Sequence, residues 1–462
     1  EISLGLVGSE MCIRDRLCAS LVLLALQFVV IWNAVFRTAW DPGAVWYGAH
    51  FVEMGDQDGI NSMGYYFSVY PNNLLLVWIY SIVLKLNDVI GTPISNGTML
   101  LALFQCIFVT GAGACLYKTV RHFVDQKIAW IAYGFYFILG GLSAWIMIPY
   151  SDSTGIIFPV FLFWLYVKLK ETESAKKKCV LLFLMFFLCY IGFEIKPMAA
   201  IVVIAIVAVE GIHFAGRLLK KQSVWKKSLL AYCLAAVLGL GAAAGGVSAV
   251  VGSMHFPVVT DTVLGWQHHM MLGLNKDTNG GYSQADFDYS TSFSSVEEQH
   301  AAELKEIGKR LKDFGVGGYL QHFVKKSARN YFDGCFGWGG LGETFYTEIF
   351  PERGTVLCSL IRSLYYDNTE DTLYRYQALF RQILWYMVLV LVPFSVFTKR
   401  PLDKKRQVAV LSVLGLMLYL QIFEAHARYL YTFVPIFVFL ATEGIDNLRE
   451  YLNQKSERRV KK

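Results

Sequence analysis

Apolar stretches long enough to cross a bilayer recur along almost the whole of this chain, separated by short basic clusters. That alternation constrains the fold more than any motif does. In lipid every backbone N–H and C=O must be paired within the protein, which leaves helices as the spanning element for segments of this length. Candidate segments lie near 17–36, 73–86, 97–117, 128–148, 154–167, 179–193, 198–215, 229–251, 377–397, 408–423 and 430–442. With 55% hydrophobic residues and a mean hydropathy of +0.42, the 462 residues read as an all-α polytopic membrane protein and not as soluble domains.

The basic clusters orient it. KTVRHFVDQK (118–127), KLKETESAKKK (168–178), GRLLKKQSVWKK (216–227), TKRPLDKKR (398–406) and the tail KSERRVKK should all be cytoplasmic. If every segment crosses, they fall on both sides. The conflict disappears if 73–86, which is short and preceded by YPNN, lies on the outer surface as an amphipathic, jaw-type helix. About ten spans then remain, both termini are inside, and 37–96, 149–153, 194–197, 252–376 and 424–429 face outward. Region 252–376 carries 11 basic and 16 acidic residues, the opposite bias to the inner loops.

The expected layout is a transmembrane core over 17–251 with a first outer loop at 37–96. An extracytoplasmic region at 252–376, further spans over 377–445 and a basic cytoplasmic tail at 446–462 follow. Within the outer region, Ser295 should cap a helix with acids in its first turn, and a second amphipathic stretch, GGYLQHFVKKSARNYF, comes after it. Residues 1–16, EISLGLVGSEMCIRDR, are expected to be translated adapter sequence and not native protein. The run after them is too long for a signal-peptide core and is expected to stay as an anchor.

Several functions are disfavoured by the pattern. The net charge of +6 comes from topology clusters, so nucleic acid is not an expected partner. The nine cysteines form no CxxC, and the two in polar surroundings, Cys335 and Cys358, are expected to be thiols. His255, His268 and His269 match no zinc spacing, so no metal is expected and no cofactor is firmly implied. The glycine-rich DGCFGWGGLGE (333–343) lacks the ending of a nucleotide loop. Trp266, Trp338, Tyr282 and Tyr289 suit either sugar stacking or an interfacial aromatic belt.

What remains unusual is ionisable. Asp41 and Glu53 lie in the first outer loop, Asp152 in PYSDSTG, Glu194 and Lys196 in FEIKPM, and Glu424, His426 and Arg428 in FEAHARYLY. Charges at membrane edges mark function by default, and here they share one side. Plainer readings stand beside this one. Asp41 and Asp152 suit helix caps, Lys196 an interfacial anchor, and Arg428 an i,i+4 pair with Glu424.

The motifs DPGAVWYGA, YFSVYPNN, PYSDSTGI, EIKPMA and EAHARYLYTFVP, in that order over residues 17–445, resemble the C-type membrane glycosyltransferase superfamily. The similarity is greatest to family 39-like bacterial enzymes, relatives of protein O-mannosyltransferases and aminoarabinose transferases. The resemblance implies an inverting enzyme at the extracytoplasmic face of the cell membrane. Such an enzyme moves a sugar from a polyprenyl-phosphate donor to an envelope glycan, lipid or protein. It implies Asp41 as catalytic base, with Lys196, Arg428 and His426 on the donor phosphate. Tyr70, Asn72, Asn73, Asp152 and Glu53 are candidate substrate contacts. One departure is visible: the relatives' Lys-Pro-Pro type motif reads Tyr70, Pro71, Asn72 and Asn73 here, so no cation is supplied there. The alternative function is a transporter or flippase of lipid-linked sugars, which should show paired broken helices or repeated halves.

Overall fold

The computed structural model describes residues 2–91, 96–220, 228–259, 262–341, 345–366, 372–397 and 402–460. Parts of the basic clusters at 216–227 and 398–406 and of the glycine-rich 333–343 stretch lie outside them. The chain opens with α1 (Ile2–Ala34) and leaves it through a short strand, β1 (Phe36–Thr38). Three helices build the first loop: α2 (Trp40–Met54), α3 (Gln57–Ser62) and α4 (Gly64–Val69). Then come α5 (Leu74–Ile90) and α6 (Gly97–Phe123). Short polar residues start many of the helices by satisfying a first-turn N–H: Asn96 accepts from Met99 N at 3.0 Å, and Asp125 accepts from Ile128 N at 3.0 Å to open α7 (Gln126–Tyr136).

After α7 the backbone widens into a π turn over 137–141, where Gly140 and Gly141 interrupt the helix. The buried Arg381 holds that turn by donating to the carbonyls of Ile138 and Leu142. The core continues through α8 (Ser151–Gly155), α9 (Ile157–Glu171), α10 (Ala175–Ile195), α11 (Ala200–Leu219) and α12 (Ser228–Gly252). A mainly polar region follows, with α13 (Trp266–Gly273), α14 (Gln284–Thr291), α15 (Val296–Tyr331) and α16 (Trp338–Leu341). It ends in β2 (Tyr346–Ile349) and α17 (Val356–Tyr365). The last helices are α18 (Thr372–Leu391), α19 (Lys404–Ile422), α20 (Arg428–Tyr431) and α21 (Val434–Val460).

Among the described residues nine helices are long and apolar enough to cross a membrane. Eight coincide with expected spans. Segments 128–148 and 430–442 do not reach spanning length as uninterrupted apolar helices, because the π turn breaks the first and α21 turns polar after Ala441. Both are nonetheless central: every residue from Val434 to Ala441 except Pro435 is a buried hydrophobic. The ninth helix is α5. It runs antiparallel beside the N-terminal part of α6, with the Tyr80 and Phe104 rings 6.3 Å apart and a Cβ at Gly97 only 3.2 Å from Leu84. Both its ends therefore stay in the half of the bundle that holds the start of α6, despite its apolar length. The segment, expected to lie on the outer surface as a short amphipathic helix, is instead long and apolar enough to cross and stands alongside α6.

At the opposite end the basic clusters meet. Lys404 and Lys170 share Glu210 at 2.8 and 2.9 Å, Lys405 lies 3.6 Å from Glu171, and Arg449 reaches Asp125 at 2.5 Å. The amide of Ser295's third neighbour, Glu298, donates to the Ser295 hydroxyl at 3.3 Å, as the cap reading required. α15 is two helices joined at Gly315, which alone among its residues has a left-handed φ of 54°.

Candidate active site

The geometry at Asp41 begins with strand pairing. β1 and β2 form a two-stranded antiparallel ribbon with a bulge between Arg37 and Thr38, and Ala39 N donates to Phe345 O at 2.8 Å. This pins the backbone just before Trp40, which sits at φ 54°, a region that bulky side chains adopt only when the surroundings impose it. Gly43 is required here, because a Cβ would lie 2.6 Å from the Thr38 carbonyl oxygen. The N-cap of α2 is Ala39, with no side-chain cap bond, so Asp41 occupies the first turn and does not cap the helix.

Its carboxylate is held by phenols. Tyr66 donates to Oδ1 at 2.9 Å and Tyr150 to Oδ2 at 3.4 Å. Asn73 ties the two together, donating to the Tyr66 hydroxyl at 2.9 Å and, 3.2 Å from the Tyr150 hydroxyl, sharing that phenol's single proton with Asp41. Burial, reinforced by the charge of Asp41, pushes both phenols well above their usual range, so they remain donors at neutral pH.

The expected cations lie near the Tyr150 ring as well. Lys196 precedes Pro197, which favours the extended backbone seen there (φ −150°, ψ 101°) and aims the side chain across α8. Its ammonium donates to Asp152 Oδ1 at 2.6 Å. Arg428 Nε approaches Asp152 Oδ2 at 3.4 Å, an ion contact and not an aligned hydrogen bond. Both oxygens of Asp152 are thus taken by the two cations. The N-cap of α8 is Tyr150, without a side-chain cap bond, so Asp152 acts there neither as a cap nor as an open substrate contact. Lys196 Nζ lies 4.8 Å from the Tyr429 ring centre and 5.9 Å from that of Tyr150. The Arg428 guanidinium is caged by Trp145, Phe345, Tyr150 and Tyr429 at 5.5 to 5.9 Å.

Residues 424–427 are not helical, so Arg428 forms no i,i+4 pair with Glu424, which instead accepts from Tyr429 at 3.0 Å. His426 shares the segment. Burial, with Arg428, Arg329 and Lys196 nearby, holds its imidazole well below its usual pKa, and its Nδ1 has no hydrogen-bond partner among the described residues. A neutral imidazole with an uncommitted nitrogen is suited to one hydrogen bond with a ligand.

The remaining expectations divide. Tyr70 is half-buried, 5.3 Å from the Tyr66 ring and stacked on Phe287 of α14 at 6.5 Å, which joins the site to the polar region. Asn73 belongs to the site. Asn72, beside it, is exposed, because the 3₁₀ turn over 71–73 points the two amides differently. Glu53 is far away: the 12 residues from Asp41 along α2 span about 18 Å, and it pairs with His50 at 3.2 Å. Trp338 is buried and donates to Tyr365 O at 2.7 Å, so it is core and not a sugar platform. Trp266, Tyr282 and Tyr289 are exposed. His268 bonds Ser290 at 2.7 Å, Cys358 turns its thiol to Asn33 O at 3.5 Å, and no metal-type cluster of three or more His, Cys, Asp or Glu occurs among the described residues. Tyr66, Tyr150, Trp145, Phe345 and Tyr429 complete the site, and as neutral aromatics in an aromatic-rich chain they carry no sequence signal that singles them out.

Three solved structures match this chain at low similarity. One is the archaeal oligosaccharyltransferase AglB from Archaeoglobus fulgidus in complex with an inhibitory peptide and a dolichol-phosphate, at 12% identity, 95% of this chain, 51% of that chain and TM-score 0.44. Another is the Archaeoglobus fulgidus oligosaccharyltransferase in complex with Zn and sulfate, at 15% identity, 94% and 49% coverage and TM-score 0.46. The third is its apo form, at 14% identity, 96% and 52% coverage and TM-score 0.43. The chain therefore spans about half the length of each of these structures. Among curated proteins none matches. The family match covers residues 6–447, and the chain belongs to the family described as conserved hypothetical integral membrane protein.

Proposed function

We propose that this protein is a membrane glycosyltransferase that moves a sugar from a polyprenyl-phosphate donor to an acceptor hydroxyl by inverting displacement. One observation carries the reading. Asp41, a carboxylate held by neutral donors among the described residues, and a pair of cations, Lys196 and Arg428, all lie against one residue, Tyr150. A displacement at one carbon needs both, a base for the incoming hydroxyl and positive charge for the leaving phosphate.

In this mechanism Asp41 takes the acceptor's proton as the hydroxyl oxygen bonds to the anomeric carbon. The bond from that carbon to the lipid phosphate oxygen breaks, and its electron pair leaves with the phosphate. Lys196 and Arg428 balance the charge that develops there, and neutral His426 adds a hydrogen bond. Asp152 keeps the cations in place between turnovers. Tyr66, Tyr150 and Asn73 hold the carboxylate in one orientation. The convergence of the basic clusters at the other end supports an extracytoplasmic site.

The test is release of polyprenyl phosphate by the purified protein in liposomes, offered a panel of synthetic polyprenyl-phosphate sugars. Turnover with at least one donor is expected, and Arg428→Met should lower kcat/KM for that donor by about a hundredfold. Full activity of the folded Arg428→Met protein would contradict the role given to the cation. Movement of intact donor across the bilayer without cleavage would favour the flippase.

A further inference from the structure

The second half of α15 is built inside out. After the turn at Gly315, the residues it buries are polar: His322, Lys326 and Asn330 are 4%, 0% and 0% exposed. The residues it exposes include its largest hydrophobics, with Val316, Leu320, Phe323 and Val324 at 82%, 61%, 42% and 65%. Their i, i+4, i+7, i+8 spacing puts them on one face. A third face, Gln321, Lys325 and Arg329, is exposed and polar. At about 100° per residue the three stripes point in three directions, toward protein, toward something apolar and toward something polar. A water-exposed helix packed on a protein does the reverse of the first two. A helix wedged between protein, acyl chains and water does what is seen here.

Its location is a separate observation. Lys326 Nζ donates to Gly273 O, Gln421 O and Phe423 O at 2.9, 2.9 and 2.6 Å, and Gln421 donates to Ser327 at 2.8 Å. The helix thus lies across the end of α19, a helix of membrane-spanning length. Just past its C-terminus, the carbonyl of Phe332 accepts from Tyr386 at 3.1 Å, within α18, another such helix. Phe332 and Tyr386 are themselves exposed, and so are Phe380, Ile383 and Met387 on α18. The apolar stripe therefore runs on toward the apolar outer surface of the spanning helices.

We propose that residues 316–331 form an interfacial helix. It docks on the bilayer with Val316, Leu320, Phe323 and Val324 among the acyl chains and Lys325 at the headgroups, while Arg329 on the same polar face donates to Thr278 O at 2.9 Å. Its occupant is lipid. The consequence for the site is direct: the protein-facing side of this helix holds the carbonyls at 421 and 423, immediately before Glu424, His426 and Arg428. Bilayer contact on one side of the helix supports the cation-bearing segment on the other. This inference stands on exposure and packing and does not depend on the transferase reading.

Nitroxide labels in liposomes test it. The background is the full chain with the exposed Cys18 and Cys233 replaced, to which Leu320→Cys, Val324→Cys, Gln321→Cys or Lys325→Cys is added singly. Labels at 320 and 324 should collide with dissolved oxygen in preference to a water-soluble nickel chelate, by at least about tenfold relative to labels at 321 and 325. Equal nickel access at all four positions would place the stripe in water and overturn the proposal. Shielding of 320 and 324 from both reagents would also overturn it, by showing a protein partner or a second copy on that face.

Discussion

Two carboxylates near one tyrosine behave differently because their partners differ. Asp152 is buried between two cations, so Asp152→Asn should destabilise the protein by about 3–5 kcal/mol through uncompensated charge, read as a fall in Tm. Among the described residues Asp41 accepts hydrogen bonds from neutral phenols, so its loss should cost less stability than that of Asp152. Tyr66→Phe removes one donor to the Asp41 carboxylate, and kcat should drop about tenfold with Tm nearly unchanged. An unchanged kcat would show that Tyr66 does not orient Asp41. Asp41, Lys196 and Arg428 could be picked out from sequence because charges are conspicuous at membrane edges. Tyr66 and Tyr150 could not, since a phenol that holds a carboxylate and one that sits in an interfacial belt look alike until they are placed.

The helix start at Ser295 was readable because the capping residue and the acidic first turn after it are local, and Asn96 and Asp125 cap in the same way. The β1–β2 ribbon was not: its strands are three and four residues long and more than 300 positions apart, so no periodicity betrays them. Yet the ribbon sets where Asp41 points. Gly43→Ala should force the start of α2 away from Thr38 and lower kcat, while the spanning helices stay intact by circular dichroism. In the polar region, burial opposes ionisation of Asp286. The hydrogen bonds and charge of Arg310, which reaches it at 2.7 and 2.9 Å, with help from Asn275, outweigh burial and hold its pKa below the ordinary 3.8. Its folded-state value is lower than its unfolded one. The stability it contributes is therefore complete above about pH 4 and is lost as pH falls through the folded value. Protection from hydrogen exchange over α13 and α14, taken relative to the intrinsic rate at each pH, should fall in that acid window in the wild type. The same amides should already exchange faster at neutral pH in Asp286→Asn, with no further acid dependence from this group.

The bundle as a whole was readable from hydropathy and basic clusters, because lipid imposes a helical solution and charge follows topology. What hydropathy misjudged were buried helices. Residues 430–442 read as a span, yet the apolar part of α21 is short and buried in protein, and α5, read as a surface helix, is long and apolar enough to span. The orientation makes a prediction of its own. In sealed cells, a cysteine at Asn72 should react with an impermeant reagent and one at Lys118 should not. Reaction at 118 from outside would invert the protein and move the site to the cytoplasm. The central claim is that Asp41 draws the proton from an acceptor at a carrier-linked sugar. Its most direct test is single-turnover sugar transfer by Asp41→Asn in liposomes, beside wild type of equal Tm. The account predicts a loss of about 10²- to 10⁴-fold in the transfer step with donor binding retained. Transfer at the wild-type rate by the folded variant would contradict it.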